Sequence, residues 1–421
     1  MIPEHLRSPR AALANRAPAE CCAHTRMTQP RRHLALYLFG LSGGGAQRRT
    51  VTLANAFTER GHHVDLVLVK ELGPMHPQVS PRVNVLELSR FGAPGLSMRT
   101  PRRVGMLLAL PALVRYLRSE RPAVMLSAAS HMHLAALLAH RLAGVETRLV
   151  LRASNHLSRE GLGETRARRL APWLARRSYA RADVTIAVSE SVARDMQHAA
   201  GIPPEKITTI YNPVVTAELL ERAEAPLEHP WFAAGQPPVV LGVGRLVAQK
   251  DFPTLVRAFA RVRAERPARL LLLGEIKKAK RYRALEELIA ELGIADDVRL
   301  EGFVPNPLPY MKRSAVFALS SAWEGLPGAL IEAMACGCPV VSTDCPGGSA
   351  EILQQGALGP LVPVRDPAAL ADAILALLDE PTDPERLKAR AAGFSLDASV
   401  DRYLEVLLDP AATVRSHMGN G

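Results

Sequence analysis

The sequence predicts an α/β protein made of two doubly wound halves, each a parallel sheet covered by helices. Three observations predict it. A strand, a glycine-rich turn, a helix and a second strand follow one another over residues 33–69, the order of a βαβ unit. The same alternation restarts at Val239 after a Pro-rich, weakly periodic stretch. The chain is 421 residues long, too many for one ordinary core, and at 48% hydrophobic and 22% charged residues it reads as globular.

In the first half, His33 to Leu41 reads as a buried strand. Ser42-Gly43-Gly44-Gly45 is the turn, and a helix runs from about Ala46 to Arg60, stopped by Gly61. Further strands are expected at Val64–Val69, Val83–Leu88, Ala123–Ser127, Arg148–Leu151, Val184–Val188 and Ile207–Ile210, mostly with helices between them. In the second half, strands are expected at Val239–Val243, Arg269–Leu273, Val298–Leu300, Val316–Leu319 and Val340–Thr343. Helices are expected over Pro253–Glu265, Tyr282–Leu292 and Gly328–Cys336. A last helix, Leu396 to Leu408, carries Val400, Tyr403, Leu404, Leu407 and Leu408 on one face, a stripe that must be buried, and the first half is the candidate surface. The expected divisions are a disordered tail 1–27, a first domain 28–215, a linker 216–238, a second domain 239–395, a crossing helix 396–409 and a tail 410–421.

Composition narrows the function classes. The formal net charge of +11 favours phosphorylated ligands or anionic surfaces. No recognisable motif or aromatic interleaving supports nucleic acid as a partner. The five cysteines, Cys21, Cys22, Cys336, Cys338 and Cys345, make no disulfide framework, which points to a reducing compartment. Residues 1–26 lack the apolar core of a secretory signal, and Met27 is an alternative start. The longest apolar run, Val104 to Val114, is about half a membrane span, so no crossing of a bilayer is expected and the protein is read as cytoplasmic.

Three loops that follow strands could carry chemistry. The first holds Gly43, Gly44 and Gly45. Glycines let the backbone approach a ligand closely, and free N–H groups at the start of the next helix attract anions. Its spacing matches neither a dinucleotide-binding loop nor a P-loop. The second loop presents Arg245 and Lys250, two cations suited to a diphosphate: the guanidinium fork takes two oxygens and the ammonium acts as a point charge. The third, WEGLPGALIEAMACG, places Glu324 in a loop and Glu332 inside a short helix, off its apolar face. Two carboxylates that accept from hydroxyls suit a polyhydroxyl ligand, and anions are poor neighbours for phosphate. The phosphates are therefore expected toward Arg245 and Lys250, which together suggests a sugar nucleotide. The plain alternative is a tight strand–helix turn at the first loop and solvated surface charges at the second and third. A fourth loop, Asp344 to Ser349, leads into a helix bearing Glu351.

No D-x-D occurs, and no histidine lies between His229 and His417. No metal ligands are therefore expected, and a departing diphosphate would be neutralised by side-chain cations.

These residues together resemble retaining glycosyltransferase family 4, of the GT-B fold: two facing Rossmann-like domains. The blocks VGRLVAQKDFPTLVRAF, LLLGE, LEGFVPN and SSAWEGLPGALIEAMACGCPVVSTDCPGGSAEIL match in order, and Glu324 and Glu332 match the family's E-x7-E motif. FGLSGGGAQR matches a first loop common in bacterial polysaccharide and lipid-linked glycan assembly, lipopolysaccharide included. The resemblance implies that Arg245 and Lys250 hold the donor diphosphate, Glu332 bonds the ribose, and Glu324 orients the sugar. Gly325 and Leu326 belong to the same donor site. Gly274, Glu275 and Val304 would hold the base, typically uracil, and Gly43–Gly45 would lie against the diphosphate or the acceptor. It also implies retention of configuration, a UDP-linked nucleotide sugar as cosubstrate, and neither cofactor nor metal. Ile276 and Gly328 depart from the pattern. An acceptor-side polar residue is expected in the loop after the fourth strand, taken as Arg152-Ala153-Ser154-Asn155-His156.

Residues 99–121 and 166–181 each hold six arginines among apolar residues. Both stretches suit an anionic lipid surface, so the acceptor is expected to be a lipid-linked or polysaccharide glycan and the enzyme peripheral on the inner face of the membrane. A non-hydrolysing sugar-nucleotide epimerase of similar architecture, or a non-catalytic sugar-nucleotide-binding protein, is the alternative.

Overall fold

The structure, a computed structural model, describes residues 32–42, 45–70, 73–93, 102–160, 179, 181–276 and 279–409. The expected tail 1–27, Met27, Cys21, Cys22 and the expected tail 410–421 lie outside these residues.

The first sheet contains β1 (His33–Leu38), β2 (His63–Leu68), β3 (Asn84–Glu87), β4 (Val124–Ser127), β5 (Arg148–Ala153), β6 (Val184–Ala187) and β7 (Ile207–Thr209), all parallel, in the order β3-β2-β1-β4-β5-β6-β7. The second contains β8 (Val239–Val243), β9 (Arg269–Leu273), β10 (Val298–Gly302), β11 (Val316–Leu319), β12 (Val340–Thr343) and β13 (Leu361–Val362), in the order β10-β9-β8-β11-β12-β13. Most of these strands are almost wholly apolar because helices cover both faces of each sheet. The helices of the first lobe are α1 (Gly45–Glu59), α2 (Arg102–Glu120), α3 (His133–Ala143), α4 (Leu157–Glu160) and α5 (Glu190–Ala200). Then follow α6 (Ala217–Ala223), α7 (Phe252–Glu265), α8 (Ala279–Glu291), α9 (Leu308–Arg313), α10 (Gly328–Ala335), α11 (Ser349–Ile352), α12 (Pro367–Asp379), α13 (Pro384–Ala392) and α14 (Leu396–Leu408).

Two differences from the sequence reading have local causes. Residues 216–238 are not featureless: Thr216 caps α6 by accepting from the Leu219 N–H, and Trp231 is buried between the guanidinium groups of Arg269 and Arg299, 4.8 and 4.9 Å from its ring. Strand β13 is two residues long, too short to show any alternation.

The last helix does return to the first sheet. Val400, Tyr403, Leu404, Val406 and Leu407 share a core with Leu34, Leu36, Leu66 and Phe57. Arg60, just beyond α1, pairs with Asp397 at 2.6 Å and with Asp401. The sheet-side anchor is Arg152 at the end of β5, fully buried, which donates to the Tyr403 hydroxyl at 3.0 Å, to the Ala128 carbonyl and to Asn212.

Candidate active site

Strand order reverses between β1 and β4 in one sheet and between β8 and β11 in the other. A parallel sheet binds ligands beyond the carboxyl ends of its strands at such a reversal, because the two flanking loops part there. In the second lobe those loops follow β8 and β11, and they carry Arg245, Lys250 and Glu324.

The two loops are tied together. The Gln249 carbonyl accepts from the Ala322 N–H at 2.8 Å, and the Lys250 carbonyl accepts from Ser320 Oγ at 2.9 Å. This brings Lys250 Nζ to 2.6 Å from Glu324 Oε1, an oxygen that also accepts from Ser321 Oγ at 2.7 Å. Glu324 is 6% exposed, so its charge is buried with a partner, as burial requires. The expectation that the acids and the phosphate-binding cations lie apart is therefore corrected for this pair. Neighbouring loops at one strand-order reversal cannot keep them separate. Arg245 is exposed and pairs with no carboxylate among the described residues.

Glu332, on α10, has a partner that the sequence reading missed. Arg49 Nη2, from α1 of the first lobe, lies 3.2 Å from Glu332 Oε1 across the cleft. Burial pulls the Arg49 pKa down and the carboxylate pushes it back up. Arg49 is four residues past Gly45, on the second turn of the helix that follows β1 at the reversal, and no local sequence pattern ties it to Glu332. Gly328, where the family pattern differs, leaves room for this guanidinium, since an added Cβ would lie 3.0 Å from Arg49 Nη2.

Other contacts close the cleft. Ser189 Oγ donates to the Gly325 carbonyl at 3.1 Å. A Cβ on Gly325 would stand 1.9 Å from the Ser154 carbonyl oxygen, so only glycine allows the lobes to meet there. Glu351, at the start of α11, accepts from the Ser191 and Glu190 N–H groups at 2.7 and 3.0 Å, and from the Tyr211 hydroxyl at 3.2 Å. A carboxylate from one lobe thus satisfies the free first turn of α5 in the other.

On the expected base side, the Gly274 N–H donates to the Gly302 carbonyl at 2.6 Å, and the Glu275 carbonyl accepts from the Leu246 N–H at 3.1 Å. Gly274 has φ +158°, and a Cβ there would overlap the Gly244 carbonyl. Gly274 and Glu275 therefore abut the Arg245 loop. Val304 is half-buried next to the largely exposed Phe303, and Ile276 is exposed at the edge of the same region. Leu326 is buried against the position of Gly348. Gly45 opens α1 with nothing near its Cβ position, and Gly43 and Gly44 lie outside the described residues.

Arg152 and Ala153 end β5, the fifth strand and not the fourth, and Ser154, Asn155 and His156 follow it; after β4 come His131 and then His133, which opens α3. His133 is buried, bonded to Ser127 Oγ at 2.8 Å, and desolvation pushes its pKa down to about 3, which makes it a neutral structural group. His156 is buried, with Nε2 3.1 Å from Ser191 Oγ and Nδ1 3.7 Å from Asp195, so it is not a solvated surface imidazole. Burial pushes the Cys345 and Cys336 thiols up to about 11 and about 12, and Cys338 higher, consistent with inert packing residues.

Two family models match: glycosyltransferase family 4 over residues 43–218 and glycosyl transferases group 1 over residues 237–380. Among curated relatives, the chain is 27% identical to the N-acetylgalactosamine-N,N'-diacetylbacillosaminyl-diphospho-undecaprenol 4-alpha-N-acetylgalactosaminyltransferase of Campylobacter jejuni, over 82% of this chain and 90% of that one. It is also 27% identical to the lipopolysaccharide core biosynthesis glycosyltransferase LpsE of Rhizobium meliloti, over 86% and 96%. Among solved structures, Anabaena HepE in complex with UDP and glucose aligns with a TM-score of 0.72 at 20% identity, over 90% of this chain and 99% of that one. Taken with the two facing parallel sheets, these matches establish that the chain belongs to the family 4 glycosyltransferases and has the GT-B fold.

Proposed function

We propose that the protein is a retaining, metal-independent glycosyltransferase that moves a hexose or N-acetylhexosamine from a UDP-sugar to a lipid-linked or polysaccharide glycan. The observation that carries this reading is the Lys250–Glu324–Ser321 cluster beside the exposed Arg245, at the reversal of the second sheet. Arg245 and Lys250 take the diphosphate. Glu324, held by Lys250 and Ser321, keeps its second oxygen for a sugar hydroxyl, with Gln249 Nε2 3.4 Å from it. Glu332 accepts from the ribose hydroxyls once Arg49 yields, and the base lies between Gly274-Glu275 and Val304, against the apolar edge that Phe303 offers.

The acceptor oxygen attacks the anomeric carbon on the face from which UDP leaves. The carbon–phosphate-oxygen bond breaks, its electron pair goes to UDP, and the acceptor proton passes to a phosphate oxygen. Cations already in place stabilise the charge growing on the diphosphate. The 4-alpha linkage and diphospho-undecaprenol acceptor in the Campylobacter relative's name, and UDP in the HepE complex, support this choice of chemistry. A panel of nucleotide sugars assayed for slow hydrolysis, with and without chelator, tests it. UDP release from UDP-sugars, unaffected by chelator, is expected; metal-dependent release, or preference for another nucleotide, rejects the corresponding part.

The acceptor belongs in this reading on the first lobe at a lipid surface. No helix among the described residues is long and apolar enough to cross a membrane. Of the arginines expected to face lipid, Arg115, Arg118, Arg121 and Arg181 are exposed; Arg115 also donates to the Phe91 carbonyl, Arg118 to those of Leu142 and Ala143, and Arg121 to that of Arg118. Arg99, the side chains of Arg102 and Arg103, and residues 166–178 lie outside the described residues. Beside the exposed Arg115, Arg118, Glu120 and Arg141, α2 and α3 also expose apolar side chains: Val104, Leu107 and Leu108 on one, Leu134, Leu138 and Leu142 on the other. These six side chains, on two helices packed together, support a membrane-facing surface.

A further inference from the structure

At the opposite end of the first sheet from the cleft, β1 and β2 begin with histidines. The register pairs His33 with His63 and Ala35 with Asp65, so His33, His63 and Asp65 point to the same face. The side chains converge. His33 Nε2 is 2.7 Å from Asp65 Oδ2, His63 Nε2 is 3.7 Å from Asp65 Oδ1, and the two rings lie 4.4 Å apart. Asp65 is fully buried, and each of its oxygens has a further donor: the Tyr116 hydroxyl at 2.7 Å on one, Asn84 Nδ2 at 2.8 Å on the other. His63 is exposed, with 59% of its side chain open to solvent, and it lines an open surface pocket of about 400 Å³ with Ser80 and Asn84.

We propose that His33 Nε2, His63 Nε2 and an Asp65 carboxylate oxygen form a zinc site, closed by a water on the cavity side. Ligand chemistry and size both fit. Two imidazoles and one carboxylate are zinc donors, and tetrahedral coordination with bonds of about 2.0–2.2 Å sets ligand atoms about 3.3–3.5 Å apart. His33 Nε2 and His63 Nε2 lie 2.7 and 3.7 Å from the two oxygens of the one carboxylate, and one donor atom from each residue falls within 4.8 Å of the others, so rotation of the two imidazoles admits the ion. Tyr116 and Asn84 orient the carboxylate from behind, as outer partners do in metal sites. The absence of D-x-D and of histidines between His229 and His417 led to the expectation of no metal; these ligands lie in the first half and are brought together by strand register across 30 residues. The site is separate from the transfer chemistry, so glycosyl transfer is not its readout.

The test titrates Zn²⁺ into metal-stripped full-length protein against a chromophoric chelator, for the wild type and for His63→Gln and His33→Gln. One ion per chain is expected, with a zinc-dependent rise in melting temperature. Affinity should fall at least about 10-fold in each variant. His63 is a surface residue, so His63→Gln should match the melting temperature of the metal-free wild type. Co²⁺ in place of zinc should give the visible absorption of tetrahedral cobalt in the wild type only. Equal zinc affinity in the wild type and His63→Gln, or several weak sites without a discrete one, overturns the proposal. Turnover below the melting temperature should be the same with and without chelator, which keeps this test independent of the proposed transfer reaction.

Discussion

Lys250 and Glu324 pair at 2.6 Å, so in the proposed reading a diphosphate draws the ammonium partly away from its carboxylate. Arg245 is exposed and has no carboxylate partner among the described residues, so the proposal has it meet the phosphates first. Lys250→Ala and Arg245→Ala are each expected to lower kcat by about 10²–10³, the scale of one lost electrostatic donor. Unchanged turnover in both, measured as UDP release, removes the diphosphate role. Glu332→Ala should instead weaken donor binding about 10-fold or more with a small change in kcat, because it deletes charge-assisted bonds present before and during reaction. A donor titration decides that. His133 gives a pH dependence unrelated to catalysis. Burial holds it at about 3 in the folded protein, against 6.5 when free, so the unfolded chain takes up the proton first. Its contribution is present above pH 6.5 and is lost as pH falls, by about 2 kcal/mol at pH 5. Urea midpoints at pH 7.5 and 5 should show a smaller difference in His133→Gln than in the wild type. The glutamates and cations of the donor site were visible in the sequence because each sits at a strand end in a distinctive block. Arg49 was not, since its partner lies 283 residues away and no local pattern announces a contact across a cleft.

At the scale of elements, long apolar runs were the most legible. Strands β8, β9, β11 and β12, and helix α14, have the bounds their patterns implied. Short or capped elements were not: β13 is too brief for periodicity, and α6 hides in a segment whose prolines suggested a linker. Around α2, Arg115 and Arg118 donate to carbonyls at the ends of neighbouring elements while remaining exposed, and Leu107 and Leu108 are exposed on the same helix. A double variant, Leu107→Ser with Leu138→Ser, should therefore cut sedimentation with anionic vesicles several-fold while leaving hydrolysis of a donor sugar in solution intact. Vesicle binding equal to that of the wild type would show that α2 and α3 are not the lipid-facing surface.

At the scale of the molecule, one buried guanidinium joins the first sheet, the segment leaving it and the returning helix. Arg152 donates to Tyr403 on α14 and to Asn212 just past β7. Tyr403→Phe leaves a buried charged donor short of one acceptor, an expected loss of about 1–3 kcal/mol, read from the denaturant midpoint at constant slope. An unchanged midpoint would mean that water replaces the hydroxyl. The lobes are held to each other by Arg49–Glu332, Ser189–Gly325 and the Glu351 carboxylate on the first turn of α5. Swinging them apart strips those backbone N–H groups of their acceptor and leaves two charges unpaired. If the lobes part to admit substrate, each opening works against these contacts, and salt should ease it by loosening the Arg49–Glu332 pair.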